Sequence, residues 1–213
     1  VLRLAHGKAS AFDVELMEAL RRELAGLAGS SIRAVVLTGT GSIFSAGVDL
    51  FRLTSEGDAY VRRFVPALME MLTDLFLLPL PVVAAVNGHA IAGGCLLTTS
   101  ADYRIAAAGN GRIGVPELLV GVPFPAIALE ILRFALPKEH IEELIYTGKT
   151  VTPGEALAKG IVDEVVEPAA LMERSMAMAR QLGSIPPEAF RIVKHQLRAP
   201  VVERARQFAR ADA

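Results

Sequence analysis

Gly93 and Gly94 stand in Ile91-Ala92-Gly93-Gly94-Cys95-Leu96-Leu97, directly ahead of an apolar run. Two glycines there let the backbone turn tightly before a helix begins, leaving amide N–H groups facing outward at its N-terminus. Such an end attracts negative charge. Glu117 follows in Gly114-Val115-Pro116-Glu117, a lone acid between apolar neighbours. Burial would raise its pKa towards that of a usable base. An anion site and a candidate base therefore share the stretch from Pro81 to Pro125. The loop Gly39 to Leu50, which contains Phe44-Ser45-Ala46-Gly47-Val48-Asp49, is the second functional candidate.

Other reactive types are less well placed. Cys95 near a helix start could act as a nucleophile with a lowered pKa, but the leucines after it favour a buried structural thiol. Gly39-Thr40-Gly41 lacks the third spaced glycine of a dinucleotide loop, and Ser45 is not in a Gly-x-Ser-x-Gly elbow. His6, His89, His140 and His195 are scattered without ligand spacing, so no metal is expected, although His89 could line a pocket mouth.

These residues need strands and helices to hold them. Val1 to Leu4 alternate as a half-buried strand, and Leu16, Met17, Leu20, Leu24 and Leu27 recur at helical spacing behind Asp13 as N-cap. Ala34 to Thr38 and Pro81 to Val86 read as buried strands, with a long amphipathic helix from Asp58 to Leu78 between them. Asp102 to Ala106 and Arg112 to Val115 are further strands. Beyond Pro125 come helices over 126–135 and 138–146, then a capping box at Thr152-Pro153-Gly154-Glu155 opening a short helix that Gly160 closes. Ile161 to Val166 alternates like one more strand, and 168–182 and 187–197 are helical. Strand and helix alternation favours an α/β fold with parallel strands.

With 213 residues and a net charge of -1, the chain suits one domain and has no basic field for nucleic acid. A small partner is expected. One cysteine cannot form an internal disulfide, and no N-terminal stretch has the order of a signal peptide. A reducing compartment follows: cytoplasm, or the mitochondrial matrix in a eukaryote. The most apolar window, Leu75 to Val86, holds two prolines and is shorter than the ~20 residues a bilayer needs, so no membrane partner is expected.

Five ordered pieces resemble the enoyl-CoA hydratase/isomerase (crotonase) family: Phe44 to Leu50, Ala85 to Cys95, Asp102 to Ala106, Pro116-Glu117-Leu118, and Gly148 through Val165. The resemblance implies a spiral of ββα units and a helical C-terminal trimerisation region, although the chain is shorter at both ends than the family usually is. Residues 1–136 would form the α/β core with an acyl-CoA site, and 137–213 the mainly helical part of the same structural unit. A homotrimer or dimer of trimers is expected. Coenzyme A would enter as part of the substrate, with no separate cofactor.

By position, the resemblance implies that the Val48 and Gly93 N–H groups bind a thioester oxygen. Aimed donors of this kind stabilise an enolate by roughly 3 kcal/mol each. Glycine at 93 would let the backbone come close, valine at 48 replaces a common alanine and would narrow the pocket, and Asp49 reads as a helix cap. Hydratases of the family carry two glutamates and a glycine N–H that together hold a water. The first acid's position is Leu96 here and the glycine's is Pro125, which has no N–H to give. The second acid remains as Glu117. Moving a double bond from the 3,4 to the 2,3 position needs only one carboxylate, and isomerases of the mitochondrial type also have leucine at the first position. An isomerase is therefore expected, with a hydratase or other family reaction, or a non-catalytic CoA-binding scaffold, as alternatives. Lys8, Ala9, Ala11 and Ala46 would border the adenine. Lys8 or Arg52 could reach phosphate, and either could equally be an ordinary solvated residue.

Overall fold

The computed structural model describes residues 1–211. The chain winds in turns, and the three central turns each lay one strand into each of two sheets. It starts with β1 (Leu2–Arg3) and α1 (Val14–Ala28), then β2 (Val35–Thr38), β3 (Ile43–Ser45), α2 (Leu50–Ser55) and α3 (Gly57–Phe76). β4 (Val82–Val86), β5 (His89–Ile91) and α4 (Gly93–Ser100) repeat that order, and β6 (Tyr103–Ala107) and β7 (Ile113–Gly114) begin another turn. A 3-10 turn, Glu117–Val120, leads into α5 (Ala126–Ala135), α6 (Lys138–Thr147) and α7 (Pro153–Ala158). β8 (Glu164–Val166), α8 (Leu171–Gly183) and α9 (Pro187–Ala211) complete the described chain.

The larger sheet runs β1-β2-β4-β6-β8 and the smaller β3-β5-β7, with every pairing parallel. This is the spiral of ββα units. Every residue of β2 and β4 is buried, which is why these strands read as continuous apolar runs and not as alternating ones. Asn87 ties the corner after β4 to the corner after β2: its Oδ1 accepts from Gly39 N–H at 2.8 Å and its Nδ2 donates to the Gly41 carbonyl at 2.9 Å. No helix among the described residues is long and apolar enough to cross a membrane.

Several sequence expectations need correction. Two strands of the smaller sheet were not foreseen, while β7 falls within the expected Arg112 to Val115: Ile43 to Ser45 lie in the expected loop, and β5 follows the Asn-Gly turn directly. The strand expected over Ile161 to Val166 is only Glu164–Val166, because the Ile161 N–H is taken by the Ala156 carbonyl at the end of α7. The helix expected to stop at Leu197 runs through Pro200 to Ala211. An internal proline removes a backbone hydrogen bond at ~3 kcal/mol, and burial of Val201, Val202 and Ala205 just beyond it offsets that loss.

All eight residues of α4 are buried. The hydroxyls of Thr98, Thr99 and Ser100 donate back to carbonyls one turn earlier, so the helix carries polar side chains without leaving them unpaired. Its C-terminal carbonyls are met from α9, where Arg198 donates to the Ser100 carbonyl at 2.7 Å and the Ala101 carbonyl at 3.2 Å. Arg198 and Lys194 share the carboxylate of Asp102 at 2.8 and 2.7 Å. Burial pulls the Lys194 pKa down to about 8, with Asp102 opposing the shift.

Candidate active site

Val48, Gly93 and Glu117 line one cavity of about 240 Å³. Val48 reaches it through a parallel bridge with Phe12, in which Phe12 N–H donates to the Gly47 carbonyl (2.6 Å) and Asp49 N–H to the Phe12 carbonyl (3.0 Å). That pattern turns the N–H of Val48 itself away from Phe12, and among the described residues it donates no backbone hydrogen bond. The Gly93 N–H, first in α4, likewise has no backbone acceptor among the described residues. Ala92, just before it, holds φ 53° and ψ -122°, a conformation that L-residues avoid.

The two loops meet at Gly47. It has φ +78°, and a Cβ there would lie 2.6 Å from the Gly93 nitrogen and 2.6 Å from the Ile91 carbonyl oxygen. At Gly93 the structure adds a reason for glycine beyond the one the sequence suggests. An added Cβ would meet the Phe12 ring at 2.4 Å, so the tight neighbour is a core aromatic side chain.

Glu117 opens the 3-10 turn behind Pro116 and is 7% exposed. Its Oε2 is buried and has no hydrogen-bond partner among the described residues. Burial pushes its pKa up to about 7, opposed only in part by its own backbone N–H. It is the one ionisable side chain lining the cavity among the described residues. Leu96 and Pro125 line the same space, as does one face of α3 through Val61, Phe64, Val65 and Leu68 at helical spacing. The chemistry available is therefore a single carboxyl, able to take and return a proton near neutral pH, facing apolar walls beside two open N–H donors.

The small-residue segment runs alongside the Val48 loop, where Ala46 N–H donates to the Ala9 carbonyl at 3.0 Å. Lys8 is exposed, and it makes no ion pair among the described residues; Ala9, Ala11 and Ala46 are half-buried. Arg52 is in a different situation. Its guanidinium lies 3.1 Å from Asp13, 2.7 Å from Glu15 and 2.6 Å from Glu56, so three carboxylates already compete for it. Asp49 caps α2 by accepting from Arg52 N–H at 3.1 Å. Cys95 is fully buried and its thiol is pushed up to about 12, which leaves no thiolate for nucleophilic work. His89 lies on β5 and does not line the cavity. Sequence reasoning missed the strain at Ala92, for which alanine gives no signal, and the part played by Phe124 as a wall of the cavity.

A family model described as Enoyl-CoA hydratase/isomerase matches residues 2–213. A carnitinyl-CoA dehydratase of Salmonella typhi is 34% identical over 200 residues, covering 93% of this chain and 76% of its own. Human mitochondrial delta3-delta2-enoyl-CoA isomerase has a similar solved structure, with a TM-score of 0.92 at 29% identity, over 97% of this chain and 81% of that one. A probable enoyl-CoA hydratase from Mycobacterium tuberculosis gives 0.90 at 30% identity, over 96% and 86%. With its spiral of two parallel sheets and a family match over nearly its whole length, the chain belongs to the enoyl-CoA hydratase/isomerase family.

Proposed function

We propose that this chain moves the double bond of a 3-enoyl-CoA to the 2,3 position. The observation that carries this is the solitary Glu117 carboxyl, facing Leu96 and Pro125 where a hydratase would grip water. Glu117 takes a proton from C2, the electrons of that C–H bond pass into the thioester as an enolate, and the N–H groups of Val48 and Gly93 hold the oxygen. The same carboxyl returns the proton to C4, and the double bond comes to rest between C2 and C3. Atoms and charge balance with no added water. Lys8, Ala9, Ala11 and Ala46 border the adenine, with Lys8 and not the engaged Arg52 meeting phosphate.

The test offers the purified protein a 3-enoyl-CoA and crotonyl-CoA separately. Conjugation of the first, at a rate at least ~100-fold above hydration of the second, is the expected result. Rapid hydration without isomerisation excludes the isomerase. A second reading, loss of water from a 3-hydroxyacyl-CoA, is favoured by the relatives named carnitinyl-CoA dehydratase. It would appear as turnover of the hydroxy thioester in the same assay. Binding of thioesters with no turnover of any would instead leave a CoA-binding scaffold.

Assembly as a trimer, or as two stacked trimers, belongs to the same proposal. Leu119 and Val120, shortly after Glu117, are 66% and 57% exposed, an apolar pair that suits a neighbouring copy. Light scattering should read the mass of three or six chains, and a monomer at micromolar concentration removes this part.

A further inference from the structure

The cavity that holds Glu117 is walled off from a larger groove by two residues. Pro123 and Phe124 line both the 240 Å³ cavity and a groove of about 640 Å³ on the other side. The groove has an apolar floor of Leu118, Leu129, Ile141 and Ile145, and exposed charges such as Arg133 and Lys138 along its rim. The partition is stiff. Pro123 and Pro125 fix φ on either side of Phe124, and the left-handed Gly121 (φ 73°), whose N–H donates to the Glu117 and Leu118 carbonyls, closes the 3-10 turn that precedes it. Phe124 itself is partly buried and packs against the main core.

Resting on the acyl-CoA reading above, we infer that Phe124 sets the upper limit of acyl-chain length. The cavity, at about 240 Å³, is well under half the volume of the groove beyond it. A thioester whose oxygen lies between Val48 and Gly93, with C2 to C4 beside Glu117, then has space for only a few more carbons before it meets the Phe124 ring. Truncating that ring joins the two spaces and gives a longer chain an apolar floor to lie on.

The test is a binding series of saturated butanoyl-, octanoyl- and hexadecanoyl-CoA, read by calorimetry on the wild type, Phe124→Ala and Phe124→Trp. Saturated thioesters need no turnover, so the series is independent of which reaction the enzyme performs. The wild type should bind octanoyl-CoA at least ~10-fold more tightly than hexadecanoyl-CoA. Phe124→Ala should raise the hexadecanoyl-to-butanoyl affinity ratio by at least ~10-fold, and Phe124→Trp should move the optimum to shorter chains. If Phe124→Ala proves unfolded by circular dichroism, the tryptophan variant decides alone. A wild-type affinity that keeps rising to hexadecanoyl-CoA, or a length profile that both folded variants leave unchanged, overturns the role of Phe124 while sparing the acyl-CoA reading. Failure to bind any of the three overturns both.

Discussion

If Glu117 is the proposed proton carrier, Glu117→Gln should lower turnover by at least ~10³-fold while leaving acyl-CoA binding within a few-fold, because the amide keeps the shape of the carboxyl but cannot accept a proton. The same change should stabilise the fold at alkaline pH. The folded pKa of Glu117 lies at about 7 against an ordinary 4.5, so the folded state holds a proton that the unfolded chain has released. Between these values stability falls as pH rises, by about 3 kcal/mol in all for a shift of this size. Below about 4.5 the carboxyl is neutral in both states and the penalty vanishes. Glutamine carries no such pH dependence, although burial of its amide reduces the net gain. Urea midpoints of the two proteins should therefore diverge between pH 5 and pH 8, with the variant the more stable at the upper end. Activity of the wild type should rise across the same interval, since the base must be ionised. A stability difference that ignores pH, or undiminished turnover in the variant, removes Glu117 from its role.

Gly47→Ala should be nearly as damaging, by a different route. Its φ of +78° costs an L-residue about 1–2 kcal/mol. The new methyl would also lie 2.6 Å from the Gly93 nitrogen, forcing apart the two loops that carry the Val48 and Gly93 donors. Misaiming one such donor costs about 10²–10³ in kcat. A fall in kcat of at least ~10²-fold is expected in the folded variant, with a smaller change in thioester affinity. A folded variant whose kcat stays within a few-fold of wild type would show that the spacing of these loops does not govern the reaction.

Much of this was visible in the chain before folding. Val35 to Thr38 and Val82 to Val86 could be read as strands because parallel strands buried on both faces have no polar side to interrupt them. Asp13, Asp49 and Thr152 were readable as caps because each supplies a side-chain oxygen ahead of a helix. In the smaller sheet β7 was expected within Arg112 to Val115, but β3 and β5 are three residues each, too short for any period to register, so Ile43 to Ser45 passed for loop. The helix expected to end at Leu197 continues because tertiary burial of Val201 and Val202 outweighs the hydrogen bond lost at Pro200. At the site, Glu117 announced itself as an acid among apolar neighbours. The engagement of Arg52 by three carboxylates was hidden, since Asp13 and Glu15 are distant from it in sequence and reach it only through the fold.

The cations of α9 carry a consequence for synthesis. The carbonyl end of α4 is met by Arg198, nearly a hundred residues after the helix it satisfies. Until α9 is made, the Ser100 and Ala101 carbonyls lack the guanidinium that meets them in the folded chain. A nascent chain halted before α9 would therefore expose two carbonyls and the Asp102 carboxylate that the finished protein covers with Arg198 and Lys194.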